Sequence, residues 1–336
     1  MNNNNKTIII YDADSIAYRA AAGVETRSIE ATHIKTGAKR KFKNKTELKE
    51  KVILKQGKFT PTDFLIVELQ EALAFSRCAG ILDNQIRKIN ELFFADEYLL
   101  CLSGKLNMRD ALPLPTKYKG SRTDLMRPIH LKAAKMHLWK NHPSLLANNR
   151  EADDDVIIKG YEYIAKGYTV IIVSQDKDAF AYSGLTLYDY TLETPTLRVI
   201  PEFGSLHLEI KTSGKDETKI SKVRGEGFIW YCFQHLLGDH TDDYKPCQLA
   251  NVKFGEKSAY ALLHQCTTEQ EALGVVIQQY KEWYPEEFTY TDWEGNEHTS
   301  DYKQMLSLYF RCARMMTTET DSLSFKDFCT QRGIEL

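Results

Sequence analysis

The chain has 336 residues, 43% hydrophobic and 27% charged, with a formal net charge of −2. That composition is globular, with room for one large or two ordinary domains, and it excludes a disordered or fibrous chain. Seven scattered cysteines, odd in number and without a C-x-x-C pair, argue against a disulfide framework or zinc site. They set the expectation of a reducing, cytoplasmic compartment. The polar start "MNNNNK" has no signal-peptide apolar region, and runs such as "TVIIV" are too short to span a bilayer, so no membrane partner is expected.

"KTIIIYDADS" predicts a buried strand over Thr7 to Tyr11 with Asp12 and Asp14 at its exit, then an Ala-rich helix in "SIAYRAAAG". The basic stretch "GAKRKFKNK" reads either as a solvated hairpin or loop or as a phosphate-contacting arm. After Pro61, Leu65, Leu69, Leu73, Leu82, Ile86 and Phe93 suggest one long amphipathic helix to about Phe94. "EYLLCLS" predicts a second strand. A proline-bounded basic connection, "GKLNMRDALPLPTKYKGSRTDLMRP", leads to a helix through "IHLKAAKMHLWKN".

Next, "NREADDDVIIKGYEYIAKG" packs Glu151, Asp153, Asp154 and Asp155 into five residues. A helix N-terminus favours acids, yet like charges three or four apart repel by a few tenths of a kcal/mol. Ile157, Ile158, Tyr161 and Ile164 form an apolar stripe at helical spacing. Asp154 and Glu151 fall on the stripe's side and Asp153 at its edge, whereas Asp155 falls with Lys159 and Glu162 toward water. Acids facing inward require a positive partner.

"YTVIIVSQDKDAFAY" is the clearest strand, with Asp176 and Asp178 at its exit, and "LTLYDY" and "LRVI" predict further short strands. "KTSGKDETKISK" reads as an exposed insert, and the remainder as mostly helical, with a third acidic group, Asp239, Asp242 and Asp243, in "LLGDHTDDYKP". Strands alternating with helices imply a mainly parallel α/β sheet flanked by helices, whose strand ends share one edge. Six or more carboxylates at that edge, without a Cys/His set, suit Mg²⁺ or Mn²⁺. Two such ions ~4 Å apart activate a water and stabilise the leaving oxygen of a phosphodiester.

"IIIYDADS", "YKGSR", "EADD", "VSQDKD" and "GDHTDD", in this order and rough spacing, resemble the flap endonuclease family, most nearly the 5′→3′ exonucleases of tailed bacteriophages. The resemblance covers about residues 6–265. It implies a PIN-like nuclease core over residues 1–200, with an arch about 104–142, and a helical region over 201–336 that completes the metal site and binds duplex. Asp12, Glu151, Asp153 and Asp154 would serve one Mg²⁺ or Mn²⁺, and Asp176, Asp178, Asp239 and Asp242 a second. Lys119 and Arg122 would touch the scissile phosphate from the arch base, Tyr118 would stack on a base, and Arg127, Lys132 and Lys135 would line the arch. "NVKFGEKSAYALLHQC" resembles the family's helix-turn-helix-like segment, with Lys253, Gly255, Lys257 and Ser258 at the duplex backbone around a K⁺ ion. The implied protein is a monomer in the host cytoplasm. Its partner is DNA with a 5′ end, nick or flap, or else an RNA–DNA hybrid, in phage DNA replication or degradation. Two positions depart from the family pattern: Ser103 stands where an acid usually follows the second core strand, and Gly255 alone remains of the paired glycines.

Two other classes compete. A haloacid-dehalogenase-type phosphatase would use Asp12 as nucleophile and Asp14 as acid, but its last motif should exit a strand, and "FIWYCFQHLLGD" reads helical. A nucleic-acid-binding relative with a disabled centre has Ser103 as its support.

Overall fold

The computed structural model describes residues 5–55, 57–213 and 218–336. The chain begins with β1 (Thr7–Asp12), α1 (Ala13–Gly23), β2 (Glu25–His33), β3 (Lys39–Phe42), α2 (Lys45–Leu48), β4 (Phe64–Ala72) and α3 (Phe75–Leu92). It continues with β5 (Glu97–Leu102), α4 (Leu131–Asn141), β6 (Ser144–Leu146), α5 (Ala152–Ala165), β7 (Thr169–Val173), β8 (Thr186–Tyr188) and β9 (Leu197–Val199). The antiparallel pair β10 (Ser205–Ser213) and β11 (Thr218–Glu226) precedes α6 (Phe228–Leu237), α7 (Glu256–Leu263) and α8 (Glu269–Trp283). A small hairpin, β12 (Phe288–Thr291) and β13 (Glu297–Ser300), then leads to α9 (Tyr302–Ala313) and α10 (Phe325–Thr330).

Two compact units form: residues 1–13, 92–125 and 142–336 in the larger, 14–91 and 126–141 in the smaller. The larger unit holds a six-stranded sheet in the order β6-β5-β1-β7-β8-β9, parallel throughout except for the β8–β9 pair. β1 lies inside it, and Ile8, Ile9, Ile10 and Tyr11 are all buried. A strand covered on both faces reads as an unbroken apolar run, the pattern seen in "IIIY". Val156 and Ile157 of α5 join Ile8, Ile10, Val170 and Ile172 in one core cluster. A second cluster gathers the C-terminal helices around α6, which is apolar on every side and buried accordingly. Because β5, β1 and β7 run parallel, their carboxyl ends share one edge. This is the mixed α/β architecture, with a helical C-terminal region, that the sequence implies.

In the smaller unit an antiparallel sheet, β3-β2-β4, turns Ile29, Ala31 and Phe42 onto Leu48 and Val52. This corrects the long helix expected after Pro61. Leu65, Leu69 and Leu73 are four apart, a spacing that satisfies period 2 as well as period 3.6. The aromatic and β-branched "FLIV" resolves the ambiguity toward strand β4. The basic stretch is β3, paired with the unanticipated β2. The lysine-rich insert runs into β10 and β11, and its residues 214–217 lie outside the described residues. Among the described residues no helix is long and apolar enough to cross a membrane.

Candidate metal centre at the carboxyl edge of the sheet

Four separate segments bring acids to this edge of the larger unit. Asp12 is the last residue of β1. Asp176 and Asp178 follow β7 in a short 3₁₀ turn, where the Asp178 N–H donates to Asp176 Oδ1 at 2.9 Å. Glu151 caps α5, and its N–H donates to Asp154 Oδ2 at 3.0 Å. Asp239 and Asp242 follow α6 in a loop closed by reciprocal backbone bonds between Asp239 and Tyr244, of 3.0 and 3.1 Å. That loop needs its glycine: Gly238 sits at φ +77°, and a Cβ there would meet the Tyr244 carbonyl oxygen at 2.4 Å. Glu151, Asp153, Asp176, Asp178, Asp239 and Asp242 line one cavity of about 200 Å³ with Arg109, Lys119, Arg122 and Lys177.

The charges are strongly unbalanced. Burial first, then Asp12, Asp176 and Glu151, hold the Asp153 carboxyl well above the ordinary carboxylate range. Burial and Asp176 do the same to Asp178. Burial also raises Asp176 and Asp242. For Asp239, burial pushes upward but is outweighed by the Lys177 ammonium at 2.6 Å and the Thr241 N–H, so its carboxyl is held down.

The positive groups come from the "YKGSR" loop and from residues that sequence reading missed. Lys119 stands at φ +52° and hydrogen-bonds Glu151, with Asp242 Oδ2 at 3.6 Å. A non-glycine residue in this region is held there by its surroundings. Here these are the Asp239–Asp243 loop. Lys119 N–H donates to the Asp242 carbonyl at 2.9 Å, Ser121 N–H and Oγ to Asp243 Oδ2 at 2.8 and 2.7 Å, and Arg122 Nε to the Thr241 carbonyl at 3.1 Å. Arg122 Nη2 also lies 2.5 Å from Asp242 Oδ1. Burial would lower the Lys119 ammonium, but Glu151 and Asp242 outweigh it and raise its pKa. Asn107 Nδ2 holds Glu151 Oε1 at 3.0 Å, and Gln234 hydrogen-bonds Asp178. Lys177 was legible in "SQDKD"; Arg109, Asn107 and Gln234 carry no spacing signal.

Several expectations change. Asp154 does not line the cavity, because Arg109 clamps its two oxygens at 2.7 and 3.0 Å and the Met316 N–H adds a bond of 2.9 Å. It is a structural ion-pair partner rather than a metal ligand. Asp155 does not point to water; it is buried against Arg150, 2.6 Å away. Tyr118 cannot stack on a base: it is 3% exposed, packs on Tyr244, and its hydroxyl donates to Asp242 Oδ2 at 2.9 Å and Glu151 Oε2 at 3.2 Å. Asp14 lies in the first turn of α1 and belongs to the smaller unit, bound to Lys135 at 2.8 Å. Over residues 104–142, 3₁₀ turns at Met108–Ala111 and Gly120–Asp124 belong to the larger unit, and α4, at the expected "IHLKAAKMHLWKN" helix, and the exposed Arg127 to the smaller. Ser103 follows β5 directly.

The expected duplex-binding segment, Asn251–Cys266, forms the loop that leads into α7, α7 itself and the turn after it. Lys253, Lys257 and Ser258 are exposed, and a Cβ on Gly255 would meet no atom within 4 Å. Gly255 has extended backbone, φ −155°, so openness rather than backbone freedom is what this glycine supplies.

No protein-family model matches the chain, and no curated protein matches it in sequence. Among solved structures the chain is similar to the T5 5′-exonuclease with bound zinc, at 14% identity over 92% of this chain and 88% of that one, TM-score 0.48. It is also similar to a bacteriophage T5 flap endonuclease complex with DNA and metal ions, at 14% identity over 93% and 89%, TM-score 0.46. At this divergence the chain's own residues must carry the functional reading.

Proposed function

We propose that this chain is a divalent-metal-dependent nuclease that hydrolyses DNA phosphodiesters near 5′ ends, as the ordered motif set implies. The observation that carries the reading is the charge surplus at the sheet edge. Six acids and four cations line the cavity. Asp12, which acts on Asp153, and Asp154, clamped by Arg109, bring the acids to eight. With all eight ionised the surplus would be four negative charges, the charge of two divalent cations, and the raised carboxyls of Asp153 and Asp178 mark where their crowding is felt most.

The donors fit such ions. All are hard oxygens, which favour Mg²⁺ or Mn²⁺ over softer metals. Asp12, Glu151 and Asp153 would hold one ion, and Asp176, Asp178, Asp239 and Asp242 the other. Bound divalent ions supply a water of lowered pKa and charge stabilisation at a phosphodiester. In the ion-free protein, Lys119 and Arg122 are engaged by Glu151 and Asp242. With those carboxylates taken up by a cation, both groups would be free to donate to a non-bridging phosphate oxygen as charge builds. Lys253, Gly255, Lys257 and Ser258 would hold duplex backbone, with K⁺ as an additional ion there. Contacts to backbone alone carry little sequence preference.

The phosphatase alternative loses its support: "GDHTDD" follows helix α6 instead of a strand, and Asp14 is paired with Lys135. The test uses nicked, blunt and 5′-flap duplexes labelled at either end, with Mg²⁺, Mn²⁺ or EDTA. Short products released from 5′ ends only with metal are expected, and Asp153→Asn abolishes them. Cleavage in EDTA, or preferential loss from 3′ ends, refutes the reading; tight binding without any cleavage indicates the disabled relative.

A further inference from the structure

A groove of about 870 Å³ opens beside the acidic cavity and shares Lys177, Asp239 and Thr241 with it. It runs to Gly255 at the start of α7. Its other wall is β11, which the family motifs do not include. The two walls are tied together: the Val223 N–H on β11 donates to Glu256 Oε2 at 2.9 Å. That bond occupies the one acid in the first turn of α7. Exposed cations line the groove: Lys222, Arg224, which also pairs with Glu209 of β10 at 3.3 Å, and Lys245.

We propose that β11 and α7 form the two walls of a groove for the sugar-phosphate backbone of duplex DNA, with Lys222, Arg224 and Lys245 contacting phosphates. The inference rests on the nuclease reading for its partner. Binding single strands without sequence preference relies on exposed aromatic rings that stack bases. Here Trp230, Phe233 and Tyr244 line the groove but are 4%, 1% and 6% exposed, their rings already packed in the core, and the half-buried Phe254 is engaged edge-on by Trp283. Phosphate-binding cations without a stacking platform favour a duplex, whose bases are already stacked and whose backbone is exposed. The groove's other acids, Asp239 and Asp243, are held by Lys177 and by Ser121.

The test measures binding without chemistry: a blunt duplex of about 24 bp and its single strand, in EDTA, over a salt series. Each phosphate contact contributes about 0.9 to the slope of log affinity against log salt. Lys222→Ala/Arg224→Ala should lower the duplex slope by about 1.8 and weaken binding at 0.1 M salt by up to about sixtyfold. Lys222→Arg/Arg224→Lys, which keeps both charges, should retain the slope. An unchanged slope in the alanine variant overturns the proposal. So does an equal loss in the charge-keeping variant, which would indicate a structural defect, or a loss for single strands but not duplex. Absence of metal-dependent cleavage in the unaltered protein would instead sink the nuclease reading, and leaves this binding result readable.

Discussion

Arg109→Met should be among the most damaging single substitutions outside the apolar core. The guanidinium is 2% exposed and bonds both oxygens of Asp154, which is itself fully buried. It also donates to the carbonyls of Arg311 and Arg314 at 3.0 and 2.8 Å, tying the "NMRDAL" turn to the end of α9. Methionine fills similar volume but leaves Asp154 a buried, uncompensated anion. Removing one partner of a buried pair costs about 3–5 kcal/mol. An independent bound agrees. Asp154 can escape by taking up a proton, and from an ordinary pKa of 3.8 that costs about 4 kcal/mol at pH 7, at 1.36 kcal/mol per unit. At pH 5 the same escape costs only about 1.6 kcal/mol. Urea unfolding at pH 7 and pH 5 therefore reads both size and origin: a deficit of about 4 kcal/mol that shrinks by more than half on acidification. Arg109→Met/Asp154→Asn, which removes the stranded charge, should recover most of the loss at pH 7. A deficit below about 1 kcal/mol, or one independent of pH, refutes the clamp as the reason Asp154 tolerates burial.

Asp153→Asn should raise the melting temperature of the metal-free protein while abolishing cleavage. The folded carboxyl's pKa is raised, so its stabilising share is present below pH 3.8 and lost as pH rises through the folded value; no change near neutral pH counts against convergence of the acids. Millimolar Mg²⁺ should raise the melting temperature of the unaltered protein, because ions bind the folded form alone, and a flat response in a fluorescence melt would remove the metal centre. Lys119→Ala should reduce the single-turnover rate by orders of magnitude more than substrate affinity; a loss confined to affinity moves Lys119 away from the reacting phosphate. His235 is fully buried on α6, bonded to Tyr231 and Leu306, and burial pushes it down to about 3 from 6.5. Its contribution is complete above pH 6.5 and falls by about 1.4 kcal/mol per unit as pH drops toward 3. His235→Gln should flatten that part of the stability profile, and an unaltered acid slope in urea unfolding contradicts it.

Much of the candidate site's placement at one sheet edge was legible because it depends on local periodicity. The buried run "IIIY" ends in Asp12, "TVIIV" leads to Asp176 and Asp178, and helical spacing puts Glu151 and Asp154 on the apolar side with Asp153 at its edge. Parallel strands then bring their exits to one edge without any knowledge of side-chain contacts. Local patterns failed where two periods coincide, as at Leu65, Leu69 and Leu73, and where a polar strand such as β2 carries only Ile29 and Ala31 on its buried face. Tertiary structure alone decided which adjacent acids have which roles. Asp153, Asp154 and Asp155 share one helical turn, yet Asp153 faces the cavity, Asp154 is clamped by Arg109 and Asp155 by Arg150. Backbone geometry sets the direction in which a side chain leaves the helix. Whether it meets a guanidinium there, or other carboxylates that raise its pKa, depends on where loops distant in sequence come to rest.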